Sequence, residues 1–305
     1  IMKTKILATI VAFVIQASAA EAVLEGNLEQ QELSKDQSWK IANHTAACIQ
    51  IPNKWPSLRL SLILEANTFY RVSYEYRLQD GTEKDSLCVD IGKKRILQHT
   101  ANAEWSKTAG YFYNEKNGKQ IMQISLDGPA AFRAWFRNLK IEKLDPEDLK
   151  TITVDFNDNA GPAPAFFYKH SPKSTAWDLT VVPVDDFVEE GNALCITSAE
   201  DMGCKAHSHT IPLELDKNFQ LTFWAKAKKS VTASVCVDGY LRGAEKHFYR
   251  SAKYPLTEEW KQFTLEFKSP TEKEHPQMAK RTIHIILTLP KSSSAKFKKF
   301  VLEQK

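Results

Sequence analysis

Apolar and polar residues alternate strictly in two distant stretches of the chain, and both stretches run into the same short cysteine motif. In the first, Tyr70, Val72, Tyr74 and Tyr76 alternate with Arg71, Ser73, Glu75 and Arg77 ahead of SLCVDIG. In the second, Phe219, Leu221, Phe223 and Ala225 alternate with Gln220, Thr222, Trp224 and Lys226 ahead of SVCVDG. Successive side chains of a strand point to opposite faces, so a period of two predicts strands with one buried face.

The likeness between the two stretches extends along both halves of the chain. EWSKTAGYFY from Glu104 answers EWKQFTLEF from Glu259, and apolar strands follow around Ile121–Leu126 and Ile283–Leu289. The halves close on FRNLKIEKL from Phe136 and FKKFVLEQK from Phe297. Helical periodicity of useful length is missing between them, which predicts an all-β chain of two tandem β-sandwich (jelly-roll) domains. Pro146 and its acidic neighbours in LDPEDLKTI read as a linker over 146–150, between a first unit at 21–145 and a second at 151–305. Trp105 and Trp260 hold the same place in the two copies, and that repetition predicts core packing for both.

Residues 1–20 read as a secretory signal: Lys3 and Lys5, an apolar run from Ile6 to Ile15, then Ala17, Ser18, Ala19 and Ala20. The run is too short to span a bilayer, so export without a membrane span is expected. The chain has 305 residues and a net charge of +4, its cations scattered, which argues against nucleic-acid binding. The lysines of AKFKKFVLEQK read as protection of a sheet edge.

The order NALCITS, FQLTFWAKA, LTEEWKQFTLEF and a terminal FKKFVLEQK resembles the carbohydrate-binding modules attached to xylanases and other secreted glycoside hydrolases. The resemblance covers most of 151–302, and the first half follows it more loosely from about Ala46 to Leu144. It implies a galactose-binding-like jelly roll that binds polysaccharide or oligosaccharide without catalysis. Such modules commonly hold a structural calcium ion near an acidic pair on the last strand. Arg137 with Asn138, and Lys298 with Lys299, stand at those places here. Asp155, Asn157 and Asp158 in VDFNDNAG could still supply oxygen ligands, an ordinary Asp/Asn turn being the alternative. No other cofactor is expected, and the chain is expected to act as a monomer.

Alternation also orients the cysteines. Val89, Ile91, Val235 and Val237 are read as facing the core, so Cys88 and Cys236 face away from it; the apolar neighbours of Cys48 and Cys195 place these outward too. In an exported chain this predicts cross-strand disulfides Cys48–Cys88 and Cys195–Cys236 with Cys204 unpaired, each worth on the order of 4 kcal/mol. Buried thiols throughout, or a Cys195–Cys204 bond, are the alternatives.

No nucleophile elbow, zinc-protease motif, phosphate loop or paired-cysteine zinc pattern is present. His207 and His209 share a strand face, read as exposed polars or as the start of a metal site. Asp185, Asp186, Glu189 and Glu190 read as solvated loop carboxylates. Sugar binding requires an exposed ring for stacking and polar side chains beside it. The outward row Thr222, Trp224 and Lys226 meets that need, with Asp238, Tyr240 and Trp177 as further candidates. The matching row of the first half, Glu75 and Arg77 with Ser73, has polar groups but no ring, and Trp39 and Trp55 are its loop aromatics. Two rival classes stay open. A jelly-roll lyase or hydrolase would use a grouping such as Tyr240, Arg242 and His247; an adhesion module would bind protein instead.

Overall fold

The computed structural model describes residues 22–25, 33–35, 39–42, 45–49, 55–82, 85–92, 94–100, 102–157, 159, 163–169, 177–187, 190–239, 248–275 and 281–305. The signal reading, Asp158, Tyr240, Arg242 and His247 lie outside these residues.

The first half contributes β1 (Ala22–Glu25), β2 (Leu33–Lys35), β3 (Trp39–Ala42), β4 (Thr45–Ile49), β5 (Ser57–Leu64) and β6 (Thr68–Gln79). It continues with β7 (Ser86–Ile91), β8 (Lys94–His99), β9 (Asn102–Asn114), β10 (Gly118–Asp127) and β11 (Arg133–Lys143). After one turn of 3-10 helix at Pro146–Leu149 the second half opens with β12 (Thr151–Val154), β13 (Phe167–Lys169), β14 (Asp178–Val184), β15 (Gly191–Thr197) and β16 (Cys204–Ser208). Then follow β17 (Ile211–Pro212), β18 (Asn218–Ala227), β19 (Val231–Asp238), β20 (Tyr249–Leu256), β21 (Lys261–Lys268), β22 (Thr282–Leu289) and β23 (Ser294–Gln304). No α-helix occurs among the described residues.

The duplication is written in the sheet order. The first half has sheets β3-β4-β11-β6-β9 and β2-β5-β10-β7-β8; the second has β14-β15-β23-β18-β21 and β13-β16-β22-β19-β20. Matched strand for strand these are the same two sheets in the same chain order, with β17 the only addition among the described residues. Even the outlying strands agree, since β1 pairs β11 and β12 pairs β23. All pairings are antiparallel, and the chain passes repeatedly between facing sheets, which makes each half a β-sandwich of jelly-roll type. Both last strands carry a bulge at one place: Asn138 (φ 55°) and Lys299 (φ 51°) adopt the left-handed conformation.

Parity holds through both cores. Tyr70, Val72, Tyr74 and Tyr76 are buried with Leu58, Leu60, Leu62, Met122 and Ile124 from the facing sheet. Phe219, Leu221, Phe223 and Ala225 are buried with Val235, Val237, Ile285 and Leu287. Phe223 stacks on Phe263 and Phe300 at centroid distances of 5.7 and 5.6 Å.

Several sequence expectations are corrected. Cys48 faces the core, because the small Ala46 and Cys48 take the inward places and Ile49 is left 61% exposed. Cys48 and Cys88 lie in opposite sheets of the first sandwich, Cys195 and Cys236 in opposite sheets of the second, so no bond across one sheet joins either pair. None of the five cysteines, all among the described residues, is in a disulfide. Cys88 does point away from the core, but Arg95 covers it, donating from Nη1 at 2.7 Å. Burial pushes the thiol up to about 11. β23 is a central strand between β15 and β18, so its lysines protect no edge.

Asp85 ties the turn after β6 to the loop after β10. One carboxylate oxygen accepts the Thr82 N–H at 2.6 Å and the Thr82 hydroxyl at 2.7 Å; the other accepts the Ala130 N–H at 3.1 Å. A Cβ on Gly128 would fall 2.8 Å from the Asp85 Cα, so only glycine admits this approach. Asp85→Ala is expected to cost about 3 kcal/mol, since it removes the buried carboxylate that two donors of Thr82 and one of Ala130 share. Urea unfolding measures it, and an unchanged midpoint would show that the carboxylate holds nothing together.

The two sandwiches meet at β9. Thr108 donates its hydroxyl to the Ala165 carbonyl at 2.8 Å, and Thr210 donates to the Tyr111 carbonyl at 2.6 Å. Ala165 completes the first core, while Tyr111 packs against the second. His207 and His209, read from sequence as exposed, are both buried, and the His209 ring lies 5.2 Å from that of His99 in the first sandwich.

Candidate saccharide-binding faces

The outward row of β18 places Thr222, Trp224 and Lys226 on the outer face of the second sandwich, each partly exposed. The sequence did not anticipate what surrounds them. Trp260, immediately before β21, is brought beside this row because β21 pairs with β18 from Trp224↔Gln262 and Ala225↔Lys261 onward. Trp260 and Trp105 are therefore not core residues; both lie on outer faces, partly exposed. The loop between β14 and β15 adds Asp186 and Phe187. Phe187 stands edge-on to both indoles, its centroid 5.1 Å from Trp224 and 5.2 Å from Trp260.

Charge is fixed within this aromatic group. Asp186 pairs with Lys226 and accepts the Trp260 Nε1–H at 3.1 Å. These two donors hold its carboxyl below the usual carboxylate range, so it stays an ionised acceptor. The Lys226 ammonium lies 5.3 Å from the Trp260 ring centroid. Lys298 is buried, its ammonium 4.4 Å above the Phe187 ring. The result is an arrangement of indole rings with a carboxylate acceptor and an ammonium donor at their edge. A pyranose offers the complement, an apolar face of C–H groups and a rim of hydroxyls.

The matching face of the first sandwich carries rings as well, supplied by neighbouring strands. Trp135 on β11 lies directly across from Arg77 on β6. The Arg77 guanidinium lies 4.3 Å from the Trp135 ring centroid and 5.3 Å from that of Trp105. Arg137 lies 4.1 Å from the Trp105 centroid and binds Glu75 at 2.8 Å. Asn138 donates to the second Glu75 oxygen at 3.1 Å. Arg137 and Asn138 lower the Glu75 carboxyl against the opposing effect of burial.

Other sequence candidates fall elsewhere. Trp177 is 4% exposed and belongs to the second core, immediately ahead of β14. Trp39 is likewise in the first core, stacked edgewise on Phe136. Asp238 is buried at the end of β19, in the sheet opposite Trp224. Asp155 accepts the Asn157 N–H at 3.2 Å in an Asx turn, and the Asn157 side-chain oxygen accepts the Asn192 N–H at 3.1 Å. Among the described residues no three His, Cys, Asp or Glu side chains gather as metal ligands, and no helix is long and apolar enough to cross a membrane.

No family profile matches the chain, and no curated protein matches it in sequence. Solved structures do superpose on it. The N-terminal CBM22-1–CBM22-2 tandem domain of Paenibacillus barcinonensis Xyn10C is similar over 95% of this chain and 99% of its own, at 13% identity and a TM-score of 0.40. The CBM22-1 xylan-binding domain of the same protein covers 50% of this chain and 92% of its own, at 8% identity and TM-score 0.38. TmCBM61, solved with β-1,4-galactotriose, covers 43% and 90%, at 15% identity and TM-score 0.30. The tandem sandwich rests on the strand order itself, which needs no superposition.

Proposed function

We propose that this is an exported, non-catalytic polysaccharide-binding protein whose principal site is the outer face of the second sandwich. The observation that supports it is the meeting of Trp224, Trp260 and Phe187 with the Lys226–Asp186 pair on a face that the core does not need. Rings on a solvent face lose burial they would gain inside, and stacking on a sugar recovers it. Asp186 then accepts from sugar hydroxyls and Lys226 donates to them. The sequence resemblance to carbohydrate-binding modules supports the same reading.

Affinity electrophoresis in gels containing soluble xylan, β-1,4-galactan or β-glucan tests it. At least one neutral polysaccharide should retard the wild type, and Trp224→Ala should weaken that retardation roughly tenfold, the loss of about 1.4 kcal/mol. No new reducing or unsaturated ends should appear in the polysaccharide. Unretarded migration in every gel would refute binding, and product release would replace this reading with a catalytic one.

A further inference from the structure

The first-sandwich face has a charge pattern that the second lacks. Successive cross-strand rows read Trp135 beside Arg77; Arg137, Glu75 and Lys107; Lys140, Ser73 and Ala109; then Glu142, Arg71 and Tyr111. From Arg77 to Arg71 is six residues of strand, about 20 Å at ~3.4 Å per residue. At the far end the face runs into a cleft of about 710 Å³ between the sandwiches. Arg71, Ser73, Lys107 and Lys140 line one wall, Asp155 and Phe156 the other. A cleft of that volume is of the size that holds small ligands.

Most cations on this face are already answered. Arg133 binds Asp80, Arg137 binds Glu75, and Lys140 binds Glu142 at 2.9 Å. Arg77 and Arg71 have no ion-pair partner among the described residues. The Arg77 Nε is buried with no hydrogen-bond acceptor among the described residues. An unmet charged donor is costly, and tryptophan rings on the guanidinium faces leave only its edge for an acceptor. A planar guanidinium edge matches a carboxylate in two parallel hydrogen bonds.

We propose that this face is a second saccharide site and that it selects an acidic, uronate-bearing glycan. Arg77, held between Trp105 and Trp135, takes one carboxylate; the chain runs along β6, and Arg71 at the mouth of the cleft takes another. Only the ligand class rests on the saccharide-binding reading above, since the anion preference follows from these residues alone.

Retardation of the protein in gels of polygalacturonate and of its carboxyl-reduced, neutral counterpart, run with and without 0.5 M NaCl, tests this. The wild type should bind polygalacturonate at least tenfold more tightly than the reduced polymer, and salt should remove most of the difference. Arg77→Ala and Arg71→Ala should each lose about tenfold on polygalacturonate and leave retardation by neutral polysaccharides unchanged. Arg77→Lys, which keeps the charge but not the planar edge, should remain close to Arg77→Ala. Equal binding of the two polymers would overturn the proposal, and so would full retention by Arg77→Lys, which would reduce the effect to net charge. Should Trp224→Ala abolish neutral binding while the arginine variants bind polygalacturonate normally, only this second site fails. Should polygalacturonate bind through Arg77 while no neutral polysaccharide binds, only the second-sandwich site fails.

Discussion

Taking the protein from pH 7.5 to 4.5 should cost about 3 kcal/mol of stability through His209 alone, with His99 adding to the loss in the same direction. His99 and His209 lie at the junction of the sandwiches, their rings 5.2 Å apart. His99 stacks on Tyr76 and hydrogen-bonds the Tyr74 hydroxyl at 2.8 Å, while His209 stacks on Tyr168 and meets Phe166 edge-on. Neither ring has a carboxylate among these contacts. Burial first, and then a neighbouring histidine, pushes both imidazoles down, His209 to about 3 and His99 well below the ordinary value. An unfolded histidine titrates near 6.5, so below that pH the unfolded chain binds protons that the folded chain refuses. The contribution is therefore complete above pH 6.5 and falls by about 1.4 kcal/mol per histidine per pH unit as the pH drops towards the folded values. Urea unfolding at half-unit intervals reads the slope. His209→Phe should remove about 3 kcal/mol of the loss between pH 6.5 and 4.5, and a slope unaltered by that substitution would contradict a buried, neutral His209.

Neighbouring residues of β18 should behave oppositely when truncated. Phe223 is fully buried, stacked on Phe263 and Phe300 and edge-on to Tyr254. Phe223→Ala should cost about 4 kcal/mol, the sum of lost transfer energy and the cavity left in the second core. Trp224 lies one residue on and faces out, so Trp224→Ala should change stability by less than about 1 kcal/mol and weaken binding roughly tenfold instead. Chemical denaturation and affinity electrophoresis of the two variants separate the effects. A Trp224→Ala protein as unstable as Phe223→Ala would place that ring in the core.

The parity of β6 and β18 was legible because period two is set by the backbone and needs no tertiary information. The duplication was legible for the same reason, each copy repeating its strands in order. What lay beyond the sequence was lateral. Trp135 reaches Arg77, and Trp260 reaches Trp224, through strand pairing between residues roughly 60 and 40 apart, and local periodicity does not say which strands pair. Repetition of Trp105 and Trp260 was read as a sign of packing, yet it marks one outer-face position kept in both copies. Cys48 was misread because apolar character was taken to point inward, whereas on β4, beside β11 in the same sheet, the smaller Ala46 and Cys48 face the core and Ile49 stays outside. His209 was misread because it meets His99 of the other sandwich, and His207 because it packs beside Tyr168 and His284 of neighbouring strands, contacts that no pattern within one strand records.

We place saccharide binding on the outer-face rings of the second sandwich, Trp224 and Trp260. The most direct test is the dissociation constant of wild type and Trp224→Ala/Trp260→Ala for the best neutral polysaccharide, with folding of both verified by equal urea midpoints. Loss of two stacking rings at about 1–2 kcal/mol each predicts a 30-fold or greater weakening. Equal constants for the two folded proteins would contradict it.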